Sequence, residues 1–116
     1  MHELGIMFHV VETVLKIAEE NGLSQVDTIV LEAGALSPVV PKYLHDCFPA
    51  AVDGTMLETT KLKVETIPAL GRCGNCNATY DVIQNRKVCP GCGQTKYDLL
   101  SGTEFNIREI ITYTDK

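Results

Sequence analysis

Two pairs of cysteines constrain what this 116-residue chain can fold into more than any other feature of its sequence. The first pair is Cys73-Gly-Asn-Cys76, and after twelve residues the second pair follows as Cys89-Pro-Gly-Cys92. Each Cys-x-x-Cys turn can place two sulfur atoms on one side of the backbone, and four thiolates complete a tetrahedron around a metal ion. Soft thiolates select zinc or iron over magnesium or calcium. We therefore predict one structural zinc ion, Zn2+, on these four residues.

Two other uses of the four cysteines stay open on ligand chemistry. An iron–sulfur or rubredoxin-like iron centre uses the same four thiolates. Two disulfides are also conceivable, although paired Cys-x-x-Cys turns in a reducing compartment favour a metal. In either metal site four sulfur ligands leave no open position for water, so the site is expected to be structural rather than catalytic.

Charge and composition exclude several classes of function. The formal net charge is -5 and the pI is about 5.1, which argues against broad binding to a nucleic-acid backbone. Hydrophobic residues make up 45% of the chain, as expected for a packed globule. The N-terminus lacks a basic region followed by an apolar run, and no apolar stretch is long enough to cross a bilayer. We expect a cytoplasmic protein without a signal peptide or membrane span.

The rest of the chain alternates between helical and strand patterns. Residues 4–20 and 39–52 show helical periodicity, and Pro49 is expected to kink the second helix. Residues 26–36, 62–68 and 105–112 are rich in β-branched residues with partial alternation, which predicts three strands. The apolar face predicted for the first helix is Leu4, Phe8, Val11, Leu15 and Ala18, with Met7 and Val14 beside it.

These patterns predict an α+β protein with two helices on a three-stranded sheet and an inserted zinc-ribbon module. The composition changes sharply in the glycine- and cysteine-rich segment between the last two strands. The predicted boundaries are residues 70–102 for the zinc ribbon and residues 1–69 plus 103–116 for the α+β domain.

The fifth cysteine, Cys47, falls on the apolar face of the second predicted helix. Free cysteine is among the most buried residue types, so a core position is favoured over a role as ligand or nucleophile. No histidine–carboxylate arrangement accompanies it, and no phosphate loop or open metal site is visible. The sequence predicts that the protein is not an enzyme.

The second feature with chemical significance is the N-terminal Met1-His2-Glu3. The terminal amine of Met1, the amide nitrogen of His2 and its imidazole can chelate one metal ion through adjacent rings. Such planar nitrogen sets suit Ni(II) or Cu(II), and Glu3 can add a carboxylate or backbone ligand. His9 lies about 10 Å further along the helix, too far to share a metal with His2. His9 and His45 are therefore left out of the site.

Together these parts resemble the HypA/HybF family of hydrogenase maturation factors, which are nickel metallochaperones. The resemblance extends over nearly the whole chain. It rests on Met1-His2-Glu3 at the start of a helix, a strand ending at Gly34, a helix with Leu44 and Phe48 that closes at Gly54-Thr55, and the paired cysteine turns before a last strand. Some family members carry histidines beside the cysteine turns, whereas this chain has Asn77 and Gly93 there.

The resemblance implies a nickel site at His2, with Glu3 adjacent, and a structural zinc on the four spaced cysteines. It also implies a HypB-type GTPase as partner and delivery of Ni2+ to the large subunit of a [NiFe]-hydrogenase, with urease as a second recipient in some relatives. A zinc-ribbon module that contacts nucleic acid or transcription machinery is the alternative, and a rubredoxin-like electron carrier is the third. The acidic charge and the helical first half fit the nucleic-acid alternative poorly. A homodimer stays open.

Overall fold

Residues 3–113 are described in the computed structural model, and they form two α-helices and two three-stranded sheets. The first sheet has the strand order β2-β1-β6 and the second has the order β4-β3-β5. The predicted α+β class, with two helices, a three-stranded sheet and a cysteine-containing ribbon, is confirmed. The elements are α1 (Glu3–Glu20), β1 (Thr28–Gly34), α2 (Pro41–Val52), β2 (Lys61–Ile67), β3 (Leu70–Cys73), β4 (Thr79–Asp81), β5 (Tyr97–Leu99) and β6 (Phe105–Ile111).

The helix α1 is amphipathic, and it ends where the sequence predicts. Gly22 adopts a left-handed conformation with φ 67°, which favours glycine because it has no Cβ. The N–H of Leu23 then donates to the carbonyl of Ala18 at 2.8 Å, as in a Schellman motif. The buried side chains of α1 are Met7, Val10, Val11, Val14 and Ala18.

The predicted apolar face of α1 is partly wrong. Leu4 is 39% exposed and Phe8 is 50% exposed, whereas Val10, which was not assigned to the face, is buried. Apolar residues occupy more than half of the circumference of this helix, so periodicity alone cannot determine which part of it is covered. The buried stripe is therefore rotated away from Leu4 and Phe8.

The strand β1 is the central strand of its sheet, and five of its seven residues are buried. Backbone hydrogen bonds beside it join Asp27 to both neighbours: its N–H donates to Ile111 at 2.8 Å, and its carbonyl accepts from Lys61 at 2.9 Å. The outer strands β2 and β6 are only partly buried. Successive residues of β1 are buried, so both of its faces are covered, which explains why its alternation is incomplete in the sequence.

The helix α2 begins after Val40 and continues through Pro49 to Val52. Pro41 lies in the first turn, where a missing N–H leaves no hydrogen bond unmade. Pro49 lacks the N–H that would donate to the preceding turn, but it does not end the helix. The buried residues of α2 are Leu44, Phe48, Ala51 and Val52.

The chain groups into two compact units. The described residues of the first unit are 3–32, 38–65 and 106–113, and the second unit is Ala33–Ser37 with Thr66–Phe105. The second unit contains both cysteine pairs and the sheet β4-β3-β5, in which β3 pairs antiparallel with both neighbours. The sequence did not predict this small sheet. The autonomy of residues 70–102 as an inserted module stays a prediction.

No helix within residues 3–113 has the length and apolar character needed to span a membrane.

Within the second unit, two glycines allow a very close approach of backbone segments. A Cβ placed on Gly34 would lie 2.0 Å from the carbonyl oxygen of Gly102, and one on Gly102 would lie 2.8 Å from the Cα of Ala69. The carbonyl of Gly102 also accepts a hydrogen bond from the N–H of Leu36 at 2.7 Å. Because the neighbouring atoms belong to the backbone, no rotation of a side chain can make room for a methyl group at Gly34.

Gly34→Ala is therefore expected to lower the free energy of unfolding by about 3 kcal/mol, at the upper end of the range for overpacking. Gly22→Ala is the matched control, since Gly22 has a positive φ but nothing within 4 Å of an added Cβ. That change should lower stability by only about 1 kcal/mol. Urea denaturation of both variants measures the difference, and equal losses would show that the close approach at Gly34 is not a constraint.

Candidate metal centre

Four cysteine sulfur atoms converge in the second unit, as the spacing predicts. The sulfur atoms of Cys73, Cys76, Cys89 and Cys92 all lie within 4.8 Å of one another. The Cys73–Cys92 pair is separated by 3.5 Å and the Cys76–Cys89 pair by 3.6 Å. A tetrahedral site with Zn–S bonds of 2.3 Å has sulfur–sulfur separations of about 3.8 Å. The arrangement therefore suits a four-coordinate zinc ion.

All five cysteines of the chain lie in the described residues, and all five are free thiols. The two-disulfide alternative is thus not the state that the structure shows. An iron centre on the same sulfurs has the same ligand chemistry and is distinguished only by metal analysis.

The first cysteine turn follows β3 directly. The N–H of Asn75 donates to Sγ of Cys73 at 3.4 Å, and the N–H of Asn77 donates to the Cys73 carbonyl at 3.0 Å. Asn77 has φ 64°, a left-handed conformation that asparagine tolerates better than most residues. The turn therefore curls its backbone around the sulfur of its first cysteine.

The second turn repeats this geometry with a glycine in the equivalent place. The N–H of Gly93 donates to the carbonyl of Cys89 at 2.8 Å, and Gly93 has φ 79°. Asn77 and Gly93 are thus the residues after the second cysteine of each pair, and both are left-handed. A left-handed residue at this position lets the chain leave each turn without covering the sulfur atoms.

One side of the cysteine cluster is buried and the other is open to solvent. Cys73 and Cys89 are fully buried, Cys92 is partly buried and Cys76 is exposed. Tyr80 packs in the same apolar cluster, with its ring 6.2 Å from that of Tyr97 in an edge-to-face arrangement. A small core thus supports the ligands from one side only, which leaves the metal to complete the packing.

Hydrogen bonds to sulfur divide the thiols into those that ionise easily and those that do not. The Asn75 side chain and the backbone N–H of Gln94 lower the pKa of Cys92 to about 6. Burial opposes ionisation of Cys89, but N–H groups of the second turn outweigh it and lower its pKa. At Cys76 the N–H of Ala78 favours the thiolate, yet the bond with Cys89 and desolvation raise its pKa to about 11.

Four neighbouring sulfurs therefore cannot all be thiolates at neutral pH unless a cation joins them. The side chain of Asn75 was not among the predicted site residues. The sequence signal for Asn75 is its position between the two cysteines of the first turn, because its amide is then within reach of Cys92 in the second turn.

Of the nickel ligands predicted at the N-terminus, the structure describes Glu3. Met1 and His2 lie outside the described residues. Glu3 is the first residue of α1, it is partly buried, and its Oε2 accepts a hydrogen bond from the N–H of Val40 at 3.4 Å. The Glu3 carboxylate thus joins the start of α1 to the residue before α2.

An apolar groove lies beside Glu3 between the two helices, with a volume of about 640 Å³. Leu4, Phe8 and Tyr43 line it with partly exposed side chains, and Cys47 also faces it. The prediction of a core position for Cys47 is therefore wrong: the thiol is only partly buried. The buried stripe of α2 follows Leu44 and Phe48, and Cys47 lies at its edge.

The other two histidines join no metal cluster with the residues that the structure describes. His9 and His45 are both exposed. Within residues 3–113, the four spaced cysteines are the one group of three or more His, Cys, Asp or Glu side chains close enough to hold a metal ion. The fold and the site thus define a small α+β metal-binding protein with a closed four-thiolate centre.

Comparison with known proteins identifies the family. A family model described as hydrogenase/urease nickel incorporation metallochaperone HypA matches residues 1–112. Hydrogenase maturation factor HypA of Geotalea uraniireducens is 38% identical over 111 residues, which covers 95% of this chain and 97% of the relative. Hydrogenase maturation factor HybF of Klebsiella pneumoniae is 29% identical over 110 residues, with 95% and 97% coverage. The chain therefore belongs to the HypA family of hydrogenase maturation factors, as the sequence resemblance predicts.

Solved structures show the same fold. The solution structure of the nickel metallochaperone HypA from Helicobacter pylori aligns with a TM-score of 0.65, covering 99% of this chain and 100% of that one. A second solution structure, of a protein named HypA, aligns with a TM-score of 0.71, covering 99% and 98%. Both are 14% identical in sequence, so they support the fold alone.

Cys73→Ala and Cys92→Ala should each reduce zinc from one ion per chain to nearly none, because each removes one of the four thiolate ligands. The cysteine-containing unit should then loosen, because metal binding supplies much of the folding free energy of such a site. Cys47→Ala is the matched control and should keep its zinc, since Cys47 is not in the cluster. The far-UV circular dichroism should keep its helical signal in all three variants, because α1 and α2 lie in the first unit. Elemental analysis that finds undiminished zinc in both cluster variants would refute the assignment.

Asn75→Ala should weaken zinc binding at pH 7. Without the amide, the pKa of Cys92 rises from about 6 towards 9.0, so zinc must displace a proton that is absent in the wild-type protein. At pH 7 the affinity falls by about tenfold for each unit by which the pKa rises above 7, and the two proteins should converge near pH 9. Gln94→Ala is the control, because Gln94 contributes its backbone N–H. A competition titration with a zinc chelator at several pH values measures this, and identical affinities of Asn75→Ala and wild type at pH 7 would contradict it.

Proposed function

We propose that this protein binds Ni(II) at its N-terminus and delivers it to the large subunit of a [NiFe]-hydrogenase while that enzyme matures. The observation that supports this most strongly is the match to the HypA family over residues 1–112, which includes the N-terminal Met1-His2-Glu3. Urease is the second candidate recipient, since the family description names it. A GTPase of the HypB type is the proposed partner in the transfer.

The proposed nickel ligands are the terminal amine, the amide nitrogen and imidazole of His2, and a group from Glu3. Three adjacent nitrogens form two chelate rings in one plane, a geometry that Ni(II) and Cu(II) favour. Glu3 can take part without losing its structural contact, because a carboxylate has two oxygens and Oε2 already accepts from Val40. The contact would then fix the position of the nickel site relative to α2.

Zinc has a separate and structural task in this proposal. Four thiolates saturate a tetrahedral zinc ion, so no position is left for a water molecule or for exchange with a partner. The nickel ligands, by contrast, are few and come from one end of the chain. An ion held there can be passed to a recipient that offers better-placed ligands, whereas the zinc ion stays.

Metal selectivity has to come from outside the nickel site. By the Irving–Williams order, copper binds the same nitrogens more tightly than nickel. Selection of nickel therefore depends on which metal is available and on which proteins dock. No disulfide joins the five cysteines, all of which lie in the described residues; this fits a reducing compartment, and we place the protein in the cytoplasm.

The alternative of a nucleic-acid-binding zinc ribbon has less support. The chain carries 15 acidic against 10 basic residues, and the family match is to maturation factors. Such a charge balance releases few counterions from a phosphate backbone. The protein is proposed to act by binding and transfer, without catalysis of its own.

The nickel site is tested by blocking its nitrogens one at a time. His2→Ala should remove nickel binding because it deletes the imidazole, and acetylation of the Met1 amine should do the same without changing a side chain. His9→Ala and His45→Ala are matched controls that should bind nickel normally, since both histidines are exposed and outside any described cluster. Zinc content should stay constant in all four proteins.

Calorimetric titration with Ni(II) of the untagged protein and of each modified form provides the measurement. Affinity should also fall as the pH is lowered, because protons compete for the amine, the amide nitrogen and the imidazole. Equal nickel affinity in the wild-type, acetylated and His2→Ala proteins would place the ligands elsewhere and refute the proposed transfer from the N-terminus.

A further inference from the structure

The loop of residues 82–88 lies between β4 and the second cysteine turn, and its backbone is extensively hydrogen-bonded although most of its residues are exposed. Every backbone N–H from residue 82 to residue 89 donates a hydrogen bond within the second unit. Oδ1 of Asp81 accepts from Ile83 at 3.0 Å and from Gln84 at 2.9 Å, which caps the first turn. Val82 is fully buried and anchors the loop in the small core. We call residues 82–88 the cationic loop.

The exit from the cationic loop has an unusual backbone. Arg86 has φ 54° and Lys87 has φ 66°, so two consecutive residues with side chains are left-handed. The N–H of Lys87 donates to the carbonyl of Val82 at 2.7 Å and that of Arg86 to Ile83 at 3.2 Å, as in a Schellman motif. Glycine is favoured at the Arg86 position of such a motif. The chain instead has two long cations there, a local strain of the kind that clusters at functional sites.

The side chains of the cationic loop form a patch that is both positive and apolar. Ile83 is 47% exposed and Val88 is 40% exposed, and Arg86 and Lys87 between them are exposed as well. Within residues 3–113 neither cation forms an ion pair with a carboxylate. Asp81, the nearest acid in sequence, has one carboxylate oxygen occupied by the loop's own N–H groups.

This patch differs in charge from the chain as a whole. The second unit holds four of the ten basic residues but only three of the fifteen acidic ones, so the acidic excess belongs to the first unit. Two cations next to two aliphatic side chains suit a protein segment that combines carboxylates with apolar residues. A nucleic-acid backbone fits less well, because two cations release few counterions and Ile83 and Val88 would gain nothing from phosphates.

We propose that the cationic loop is a docking site for an acidic, partly apolar segment of a protein partner in hydrogenase maturation. Its carboxylates pair with Arg86 and Lys87, and its apolar side chains cover Ile83 and Val88. The hydrogen-bonded backbone fixes the positions from which the four side chains project before the partner arrives, so little backbone freedom is lost on binding. The docking site rests on the family membership and does not require nickel at the N-terminus.

The decisive variants remove the cations while keeping the backbone. Arg86→Gly and Lys87→Gly, alone and together, suit the left-handed conformation and should leave the thermal unfolding temperature equal or raised. Lys96→Gly is the matched control, since Lys96 is an exposed cation of the same unit outside the loop. Ile83→Ser tests the apolar half of the patch.

The probes are the purified [NiFe]-hydrogenase large-subunit precursor and the HypB-type GTPase of the same organism, each tested by biolayer interferometry against zinc-loaded full-length protein. The double glycine variant should weaken binding to at least one of them by about tenfold or more and reduce its salt dependence. Ile83→Ser should also weaken it, and Lys96→Gly should not. Nickel titration of the same samples should show unchanged nickel affinity, so a failed nickel site and a failed docking site give different results.

Three outcomes would overturn the proposal: wild-type protein that binds neither probe, equal binding by the double glycine and wild-type proteins, or an equal loss in Lys96→Gly. Specific binding of the wild type to a labelled DNA duplex at physiological salt, lost in the double glycine variant, would instead assign the cationic loop to nucleic acid.

Discussion

The convergence of four cysteine sulfur atoms on one point is the constraint on which the cysteine-containing unit depends. The sulfur atoms lie within 4.8 Å of one another, and without a cation one of them, Cys76, holds its proton to a pKa of about 11. Hydrogen bonds to Cys89 and Cys92 act in the opposite direction and lower the pKa of both thiols. A divalent cation attracts all four sulfur atoms and favours their thiolate forms. The core around Val82 and Tyr80 contains few side chains, so metal binding is expected to supply much of the stability of the two turns. The geometry of the four cysteines therefore suits a bound divalent metal ion.

The proposed nickel ligands and the four cysteines are different residues, as a mechanism that keeps one metal and transfers the other requires. A saturated thiolate cage retains its ion, whereas nitrogen ligands at a chain end can be exchanged with a partner. Glu3, a proposed nickel ligand, also has a structural contact: it is the first residue of α1, its carboxylate accepts a hydrogen bond from Val40, and it lines the apolar groove. The cationic loop lies in the other unit, so the proposed recognition of a partner and the proposed binding of cargo use different residues.

Much of this could be predicted from the sequence because the decisive signals are local. Cysteine spacing specifies four sulfurs around one point, and Gly22 marks the end of α1 through its positive φ. The errors concern long-range packing. Phe8 and Cys47 have the polarity of core residues, but which side of a helix is covered depends on elements far away in sequence. The strands β4 and β5 have three residues each, too few for an alternating pattern to be recognised. Arg86 and Lys87 carry no sequence signal of a left-handed turn, because glycine is the usual marker.

X-ray absorption at the zinc and nickel edges of one sample, untagged protein with one equivalent of added Ni(II), distinguishes a structural zinc site from a separate nickel site. It reports the ligands of each metal separately without altering a residue. Zinc should be surrounded by four sulfur atoms at about 2.3 Å. Nickel should have a planar environment of nitrogen and oxygen atoms, with no sulfur scattering. Sulfur ligands on nickel, or fewer than four sulfur atoms on zinc, would contradict the assignment of structural metal and cargo to separate sites.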